Sequence, residues 1–290
     1  MHTPAAARRS AVGHAAVVLA TLLAGCEGRF TADLATDPPA DPQINQVQVS
    51  LLGLELRTTE GTITALEFSA GERLDLLDLG VGDPLRLFTS EELPAGQYSG
   101  LRLRFDTSDD ATVVNTNGDV FPLVLADGAF VPVDFTVEDE ESDSELLTLT
   151  LDLRQSLRFD DVDDEYTLTP HLRAVRTGDA AQIQGGVSAA CPAGTSLILG
   201  GAVYAFAGEN VTPDDLDGVA AEPFATTSVV LDSGSGQFSY SLRFLAAGDY
   251  TLALTCRGNE DELGAEDDLE FGPAQGATVR ADDILRRNLT

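Results

Sequence analysis

The chain has 290 residues, with 48 acidic and 17 basic side chains and a formal net charge of −31. Such a surface repels nucleic acid and anionic lipid head groups, so the charge excludes a nucleic-acid partner. A hydrophobic fraction of 43% suffices for packed cores and argues against disorder, and the length suits one large or two ordinary domains.

The N-terminus predicts export. Arg8 and Arg9 form a basic start, and residues 11–23 are apolar and mostly small. This order is typical of a signal peptide, and the apolar stretch is shorter than the ~20 residues that a membrane-spanning helix needs. The alternative is a short buried helix of a cytosolic domain, although the chain turns polar at once from Glu27.

Leu23-Ala24-Gly25-Cys26 resembles a bacterial lipobox. The resemblance implies that residues 1–25 are a lipoprotein signal peptide, cleaved before Cys26, and that Cys26 carries lipid. The mature chain would keep 15 arginines against 48 acidic residues, a net charge of −33. We therefore expect a protein of the bacterial cell envelope that contacts the membrane through its lipid anchor. Glu27, in place of the aspartate of inner-membrane retention, favours the outer membrane.

Residues 26–43 predict a tether. Asp37-Pro38-Pro39-Ala40-Asp41-Pro42 is polar and rich in proline, a composition that favours an extended spacer without a core of its own. Such a spacer would hold the folded part of the protein away from the bilayer.

Residues 44–177 predict short β-strands. Apolar and polar residues alternate, Gly53 interrupts the first run as a bulge would, and Asn117-Gly118 between two valine-containing runs indicates a hairpin. Strands at this spacing are typical of an antiparallel sandwich or barrel. The clearest alternations lie at 47–56, 74–79, 101–105, 131–137 and 147–153.

Part of this stretch is similar to the bacterial lipoprotein domain of unknown function 4382. The resemblance covers residues 44–177 and implies a β-rich fold in the cell envelope, but no activity. Two places depart from the family pattern, the opening turn at Asp41–Ile44 and the strand Leu151–Arg154, so any role of acidic residues there is not carried over. The similar segments are Leu74–Leu79, Leu93–Tyr98 and Tyr166–Leu172.

A second domain is predicted over residues 178–290. It follows a break at Gly178–Ala181, after which strands resume. Gly236–Leu242 and Ala247–Leu252 are similar to the hairpin of carboxypeptidase-regulatory-like and prealbumin-like sandwich domains. The sequence thus predicts an all-β protein of two antiparallel β-sandwich domains after a signal peptide and a short tether.

Three local features of the chain add expectations. The turns Pro94–Tyr98 and Ala246–Tyr250 are alike and predict the same turn used twice. Thr212-Pro213 could cap and open a short helix over Asp214–Leu216. The tail 281–287 has its acidic residues first and its basic residues last, which suits either a helix or a frayed end.

The cysteines predict a disulfide. Cys191 and Cys256 are the only mature cysteines besides Cys26, and an oxidising compartment favours a bond between an even pair. The bond would close a 65-residue loop. Two buried free thiols are the alternative.

The sequence predicts no catalytic site, metal site or cofactor. His171 is the one histidine of the mature chain, and its place in a predicted strand favours a structural or surface role. Gly234-Ser235-Gly236 has the composition of a turn rather than of a nucleophile motif. Three acidic runs could bind calcium but lack EF-hand spacing, so charged loops are the simpler interpretation. The runs are 106–110, 138–141 and 160–165.

Three functions remain open. The leading hypothesis is a non-catalytic envelope lipoprotein that binds or scaffolds a protein or glycan. An exposed aromatic strip using Tyr204, Phe206 or Tyr240 would favour carbohydrate binding. A pocket with two carboxylates about 5–10 Å apart would favour a carboxylate-dependent hydrolase.

Overall fold

The structure is a computed structural model that describes residues 27–80, 82–126, 128–139, 144–219 and 221–290. The all-β class is confirmed. In these ranges three strand pairs are parallel, so the sheets are mainly but not wholly antiparallel. The Cys26 prediction and the signal peptide lie outside the described residues.

The first domain contains twelve strands in its described residues. The strands are β1 (Glu27–Asp37), β2 (Ile44–Thr58), β3 (Ile63–Asp75), β4 (Leu85–Pro94), β5 (Gly96–Phe105), β6 (Thr112–Asn115), β7 (Val120–Leu125), β8 (Val131–Val137), β9 (Ser144–Asp152), β10 (Leu157–Asp160), β11 (Glu165–Leu168) and β12 (Leu172–Arg176). A 3₁₀ turn at Leu76–Gly80 follows β3.

Two sheets pack face to face in this domain. The smaller sheet has the order β12-β9-β1-β4, and the larger has the order β10-β11-β7-β6-β2-β5-β8, with β3 also paired to β2. Alternate residues of each strand fill the space between the sheets, as a strand's two-residue period requires. Leu147, Leu149 and Leu151 of β9 are fully buried there, and Tyr98 stacks on Phe135 with ring centroids 5.0 Å apart.

Gly53 interrupts β2 as predicted. The register of β2 shifts between Leu51 and Gly53 against both β3 and β5. The φ angle of Gly53 is 151°, and a Cβ there would overlap the carbonyl oxygen of Leu66. Only glycine fits this bulge without displacing β3. The hairpin at Asn117-Gly118 also forms, since Val114 pairs with Val120 on either side of it.

The predicted tether at 26–43 is wrong over most of its length. Residues 27–37 form β1, which lies between antiparallel β4 and parallel β9 in the smaller sheet. Phe30, Ala32 and Leu34 of this strand are buried in the core. Their two-residue period is a strand signal, and the prolines extend only from 38 to 42. The first domain therefore includes residues 27–37, which the sequence assigned to the tether.

The second domain is a smaller sandwich. Its elements are β13 (Ala181–Val187), α1 (Leu197–Gly200), β14 (Ala202–Ala207), β15 (Ala225–Ser228), β16 (Val230–Asp232), β17 (Gln237–Leu245), β18 (Gly248–Thr255), β19 (Gln275–Val279) and β20 (Ile284–Arg286). One sheet has the order β16-β17-β13-β20 and the other β15-β14-β18-β19. The core of the second domain begins at Ala181, after the core of the first has ended.

The predicted hairpin at 236–252 is wrong, because β17 and β18 belong to opposite sheets. The turn between them passes from one sheet to the other, and Tyr250 fixes it by donating its hydroxyl to the carbonyl of Ala246 at 2.8 Å. The turn between β4 and β5 also passes between sheets, and Tyr98 donates to Pro94 at 2.8 Å. The expected use of one turn twice is thus confirmed, as a tyrosine corner.

Neither predicted helix forms. Residues 211–219 are irregular, because their backbone groups bond to the loop after β18 instead of to one another: Gly264 donates to the carbonyl of Leu216 at 2.6 Å. At the C-terminus Ile284–Arg286 form β20, which pairs in parallel with β13.

Candidate functional site

The two domains meet through a buried polar interface. Every second residue of β9 from Leu147 faces the first core, and the alternate residues Thr148, Thr150 and Asp152 are buried on the opposite face. Polar side chains on a strand buried on both faces need hydrogen-bond partners. Thr148 bonds to Thr177 at 2.8 Å, the Thr150 hydroxyl has no partner among the described residues, and Asp152 bonds to Thr226 of the second domain. Asp152 therefore ties the position of the second domain to β9.

Asp152 is the most heavily bonded group at this interface. Its carboxylate accepts from the backbone N–H of Thr226 at 3.0 Å and from the Thr226 hydroxyl at 3.0 Å. It also accepts from the side-chain amide of Gln155 at 2.9 Å. A fully buried carboxylate is tolerated because several donors replace its lost water.

Arg154 extends the network into the second domain. Its guanidinium donates to the carbonyl of Gly258 and to the Tyr204 hydroxyl, the latter at 3.3 Å. Tyr204 in turn donates to the carboxylate of Asp261. Burial raises the pKa of Tyr204 and of Asp261, so the Tyr204 hydroxyl keeps its proton as the donor.

Asp37 and Arg173 form a buried ion pair, with Oδ2 and Nη1 2.6 Å apart. Burial raises the pKa of Asp37 to about 6, although the Arg173 guanidinium opposes the shift. Arg173 also donates to the carbonyl of Arg243 at 3.1 Å, and Arg243 donates to the carbonyls of Gly80 and Gly82 at 2.9 and 2.6 Å. These bonds join β17 to the 3₁₀ turn after β3.

A groove of about 720 Å³ lies beside this interface. Its floor is the outer face of the β17–β13 sheet, where Ser239, Ser241 and Gln184 alternate with core residues. The first domain contributes a wall that contains Thr36, Pro38, Leu77 and Gly80. Neither domain forms the groove alone, so the interdomain network also sets its shape. Other lining residues include Thr227, Asp232, Gln237, Phe238, Tyr240, Arg243, Arg286 and Asn288.

The lining offers hydrogen bonds rather than acid–base chemistry. Asp232 is the one carboxylate among the described lining residues, and it accepts from the backbone N–H groups of Gly234 and Ser235 at 2.8 and 3.1 Å. These bonds lower its pKa, which makes it a weak base. Arg286 is exposed, and its guanidinium makes no ion pair within the described ranges.

The predicted site residues lie apart from the groove, with one exception. Cys191 and Cys256 form a disulfide with Cα atoms 5.7 Å apart. His171 is exposed and bonds through its backbone, accepting from Asp152 and donating to Ser156. Tyr204, Phe206 and Tyr240 are buried, so the aromatic strip that carbohydrate binding would use is not formed by them. Only Tyr240 touches the groove.

The acidic runs behave as surface loops in their described parts. Asp109 pairs with Arg73 at 3.2 Å and accepts from Ser50, while Asp160 accepts from the backbone of Val162 at 2.9 Å. Residues 140–143 lie outside the described ranges.

The sequence interpretation missed the interface because Asp152 and Arg154 alternate with leucines, as exposed residues of a one-sided strand do. Thr148 and Thr150 on the same face were the available signal. Of the four outward positions 148, 150, 152 and 154, these two are uncharged, which is compatible with a face that another element covers. Nothing in the sequence indicated which element covers it.

No helix in the described ranges is both long enough and apolar enough to cross a membrane.

Comparison with known proteins supports the first domain. Residues 27–170 match the model of the family described as Domain of unknown function (DUF4382), and the match starts where β1 starts. No curated protein matches the chain.

Two solved structures are distantly similar. The Bacillus anthracis TIE protein is 11% identical with a TM-score of 0.21, and the match covers 91% of this chain and 34% of that one. The chain thus spans about a third of that protein's length. A candidate adhesin from Bacteroides ovatus is 10% identical with a TM-score of 0.22, covering 94% of this chain and 88% of that one. At such TM-scores neither likeness supports an inference.

Proposed function

We propose that the protein is a non-catalytic lipoprotein of the bacterial envelope and that it binds its ligand in the interdomain groove. The observation that carries this proposal is a polar groove of about 720 Å³ whose floor and wall come from different domains. Binding sites commonly lie at such junctions. The buried network of Asp152, Arg154 and Arg173 holds the two sides in register, so the groove is preorganised for a ligand.

The lining chemistry suits a polar ligand, either a protein loop or a glycan. Ser239, Ser241 and Gln184 present hydroxyl and amide groups, which match sugar hydroxyls as well as a peptide backbone. Arg286 adds one unpaired cation that would favour a ligand with an acidic group. Because the predicted aromatics are buried, a bound glycan would depend on hydrogen bonds rather than on stacking.

A carboxylate-dependent hydrolase is the third candidate, and the groove gives it little support. Such an enzyme needs two carboxylates flanking one bond. The described lining holds Asp232 alone, and its turn keeps it ionised at ordinary pH.

The groove is tested with the soluble fragment 27–290, which keeps every described strand. We would screen it against neutral and acidic glycans, envelope proteins and hydrolase substrates. Ser239→Trp should abolish binding of any ligand found, because Ser239 is exposed on the groove floor. Thr278→Trp, on exposed β19 of the other sheet, is the matched control. Equal binding by both variants, or turnover lost on replacing one acidic residue, would reject the proposal.

The anchor is tested separately. Cells labelled with a clickable palmitate should label the wild-type protein but not Cys26→Ser, and the variant should leave the membrane fraction. Labelling that persists in Cys26→Ser would contradict the lipobox interpretation and would leave the proposal about the groove unaffected.

A further inference from the structure

Six carboxylates of the second domain lie close enough for their charges to interact, outside the groove. They come from the loop after β14 and the loop after β18, and we call them the acidic loop cluster. Its members are Asp214, Asp215, Asp217, Glu222, Glu266 and Asp267. The two loops are bonded to each other: Gly264 donates to the carbonyl of Leu216 at 2.6 Å, and the backbone N–H of Leu216 donates to Asp261 at 3.2 Å.

Asp215 is the unusual member, because it is 98% buried. Its Oδ2 accepts from the backbone N–H of Asp267, but its Oδ1 is buried and has no hydrogen-bond partner in the described structure. A buried carboxylate oxygen without a donor loses its water without compensation. Burial, and then the charges of Asp217, Asp214 and Asp267, raise the pKa of Asp215.

The described residues around Asp215 add negative charge beside its buried carboxylate and supply no ion-paired cation. The pKa of Glu266 is raised, chiefly by the charge of Asp215 and then by that of Asp217. Within the described ranges no arginine forms an ion pair with any of the six carboxylates, whereas Arg257 nearby pairs with Glu260 at 2.5 Å. The described residues therefore place no ion-paired cationic side chain against these carboxylates.

We propose that the acidic loop cluster binds a divalent cation, with calcium as the best match, and that the buried Oδ1 of Asp215 is its inner ligand. Calcium takes six to eight oxygen ligands in flexible geometry, whereas magnesium requires a stricter octahedron. Asp217 and Glu266, which lie toward the surface, complete the carboxylate set, and water fills the remaining positions.

Binding requires a local side-chain rearrangement. In the described structure no three Asp, Glu, His or Cys side chains already converge as metal ligands do. Glu266 is exposed, and Asp217 is half-buried with its Oδ1 accepting from the backbone N–H of Val219 at 2.7 Å. Binding therefore requires Glu266 and the second oxygen of Asp217 to turn toward Asp215, while the loop–loop hydrogen bonds keep the backbone in place. Each carboxylate then gains a cation where it now faces like charge.

Sequence spacing alone does not reveal this cluster. The acidic runs at 106–110 and 160–165 are longer along the chain, and their carboxylates accept from Ser50, Arg73 and the backbone. Carboxylates of the acidic loop cluster also accept backbone N–H groups, but Asp215 differs in having a buried oxygen without a partner in the described structure. The members of the acidic loop cluster come together only because β14 and β18 are neighbours in one sheet.

The test is a calcium and terbium titration of fragment 27–290 by calorimetry and luminescence. We expect saturable binding with a Kd on the order of 10⁻⁴ M or tighter, and a higher melting temperature in calcium than in sodium chloride of equal ionic strength. Asp215→Asn and Glu266→Gln should each weaken binding about tenfold or more. Asp268→Asn, which removes the same charge from an exposed neighbouring position, should change the affinity less than about twofold.

Three results would overturn the proposal. They are no saturable binding, an equal melting shift in sodium chloride, and an equal loss of affinity in Asp268→Asn and Asp215→Asn. The first would mean that Asp215 holds a proton instead of a metal ion, and the others would mean diffuse screening. Glu266→Gln keeps the test decisive if Asp215→Asn fails to fold, because Glu266 is exposed.

Discussion

Replacing Asp152 by alanine should lower the free energy of unfolding and weaken the coupling between the two domains, so that they unfold separately. The change removes the acceptor of the Thr226 N–H at 3.0 Å, the Thr226 hydroxyl at 3.0 Å and the Gln155 amide at 2.9 Å. Each buried donor left unpaired costs about 1–3 kcal/mol. The hydroxyl can turn to another acceptor, and the burial cost of the charge itself is recovered. The net loss of unfolding free energy should therefore be about 3–5 kcal/mol.

Calorimetry and urea unfolding of fragment 27–290 measure this loss. At about 2–4 °C per kcal/mol for a chain of this size, the main transition should fall by roughly 10 °C. Because Asp152 joins the domains, the transition should also split into two. Limited proteolysis should then cut first near Thr177–Asp179, where the interface no longer protects the chain.

Two further variants decide whether the reasoning holds. Asp152→Asn keeps one acceptor oxygen and should lose only about 1–2 kcal/mol. Asp161→Ala, on an exposed loop, should change stability by less than about 0.5 kcal/mol. If Asp152→Ala lies within that same margin, or keeps a single transition at the wild-type temperature, the interface does not couple the domains.

Three other changes have defined outcomes. Cys256→Ser opens the 65-residue loop and should lower the stability of residues 181–289 by about 4 kcal/mol, with little effect on residues 27–176; hydrogen exchange by peptide should show this asymmetry, and uniform loss would contradict it. Burial raises the pKa of Asp37 to about 6. Its stabilising contribution is therefore fully present below about pH 4, the pKa in the unfolded chain, and is lost as the pH rises through the folded-state pKa of about 6. Between pH 4 and 7 the stability of wild type relative to Asp37→Asn should fall by about 1–3 kcal/mol in urea titrations, and a rise would mean that Arg173, not burial, dominates. Gly53→Ala should destabilise the first domain by about 2 kcal/mol or more, whereas Gly178→Ala, with open space around it, should be nearly neutral in the same melts.

The alternation of apolar residues predicted most of the first domain. Leu147, Leu149, Leu151 and Leu153 showed a strand with one core-facing side, and Asn117-Gly118 fixed a hairpin by local geometry alone. These features depend on neighbours in sequence, which is why the sequence reveals them. The strand β1 was missed because the polar, proline-rich composition of residues 37–42 was taken to hold for the whole segment. The alternation of Phe30, Ala32 and Leu34 before it is short.

Features that depend on distant partners could not be predicted in the same way. Whether Ala247–Tyr250 continues a hairpin or crosses to the other sheet depends on which strands flank β17 and β18. The groove and the acidic loop cluster combine residues far apart in the chain, and the depth at which Asp215 is buried depends on a loop some fifty positions later. The exposed aromatic strip could not be judged from sequence for the same reason, since alternation did not show that both sides of β14 are covered.

The position of β1 has a mechanical consequence. If Cys26 carries the lipid, as proposed, then any pull between membrane and protein reaches the described fold through Glu27, the first residue of β1. Because β1 lies between β4 and β9, such a force acts along the strand and loads the hydrogen bonds on both sides in shear, together rather than one after another. The hydrogen bonds of an edge strand pulled away from its sheet break one after another, whereas those of a central strand pulled along its length bear the force together. The anchor would thus be attached to a strand that is held by hydrogen bonds on both sides.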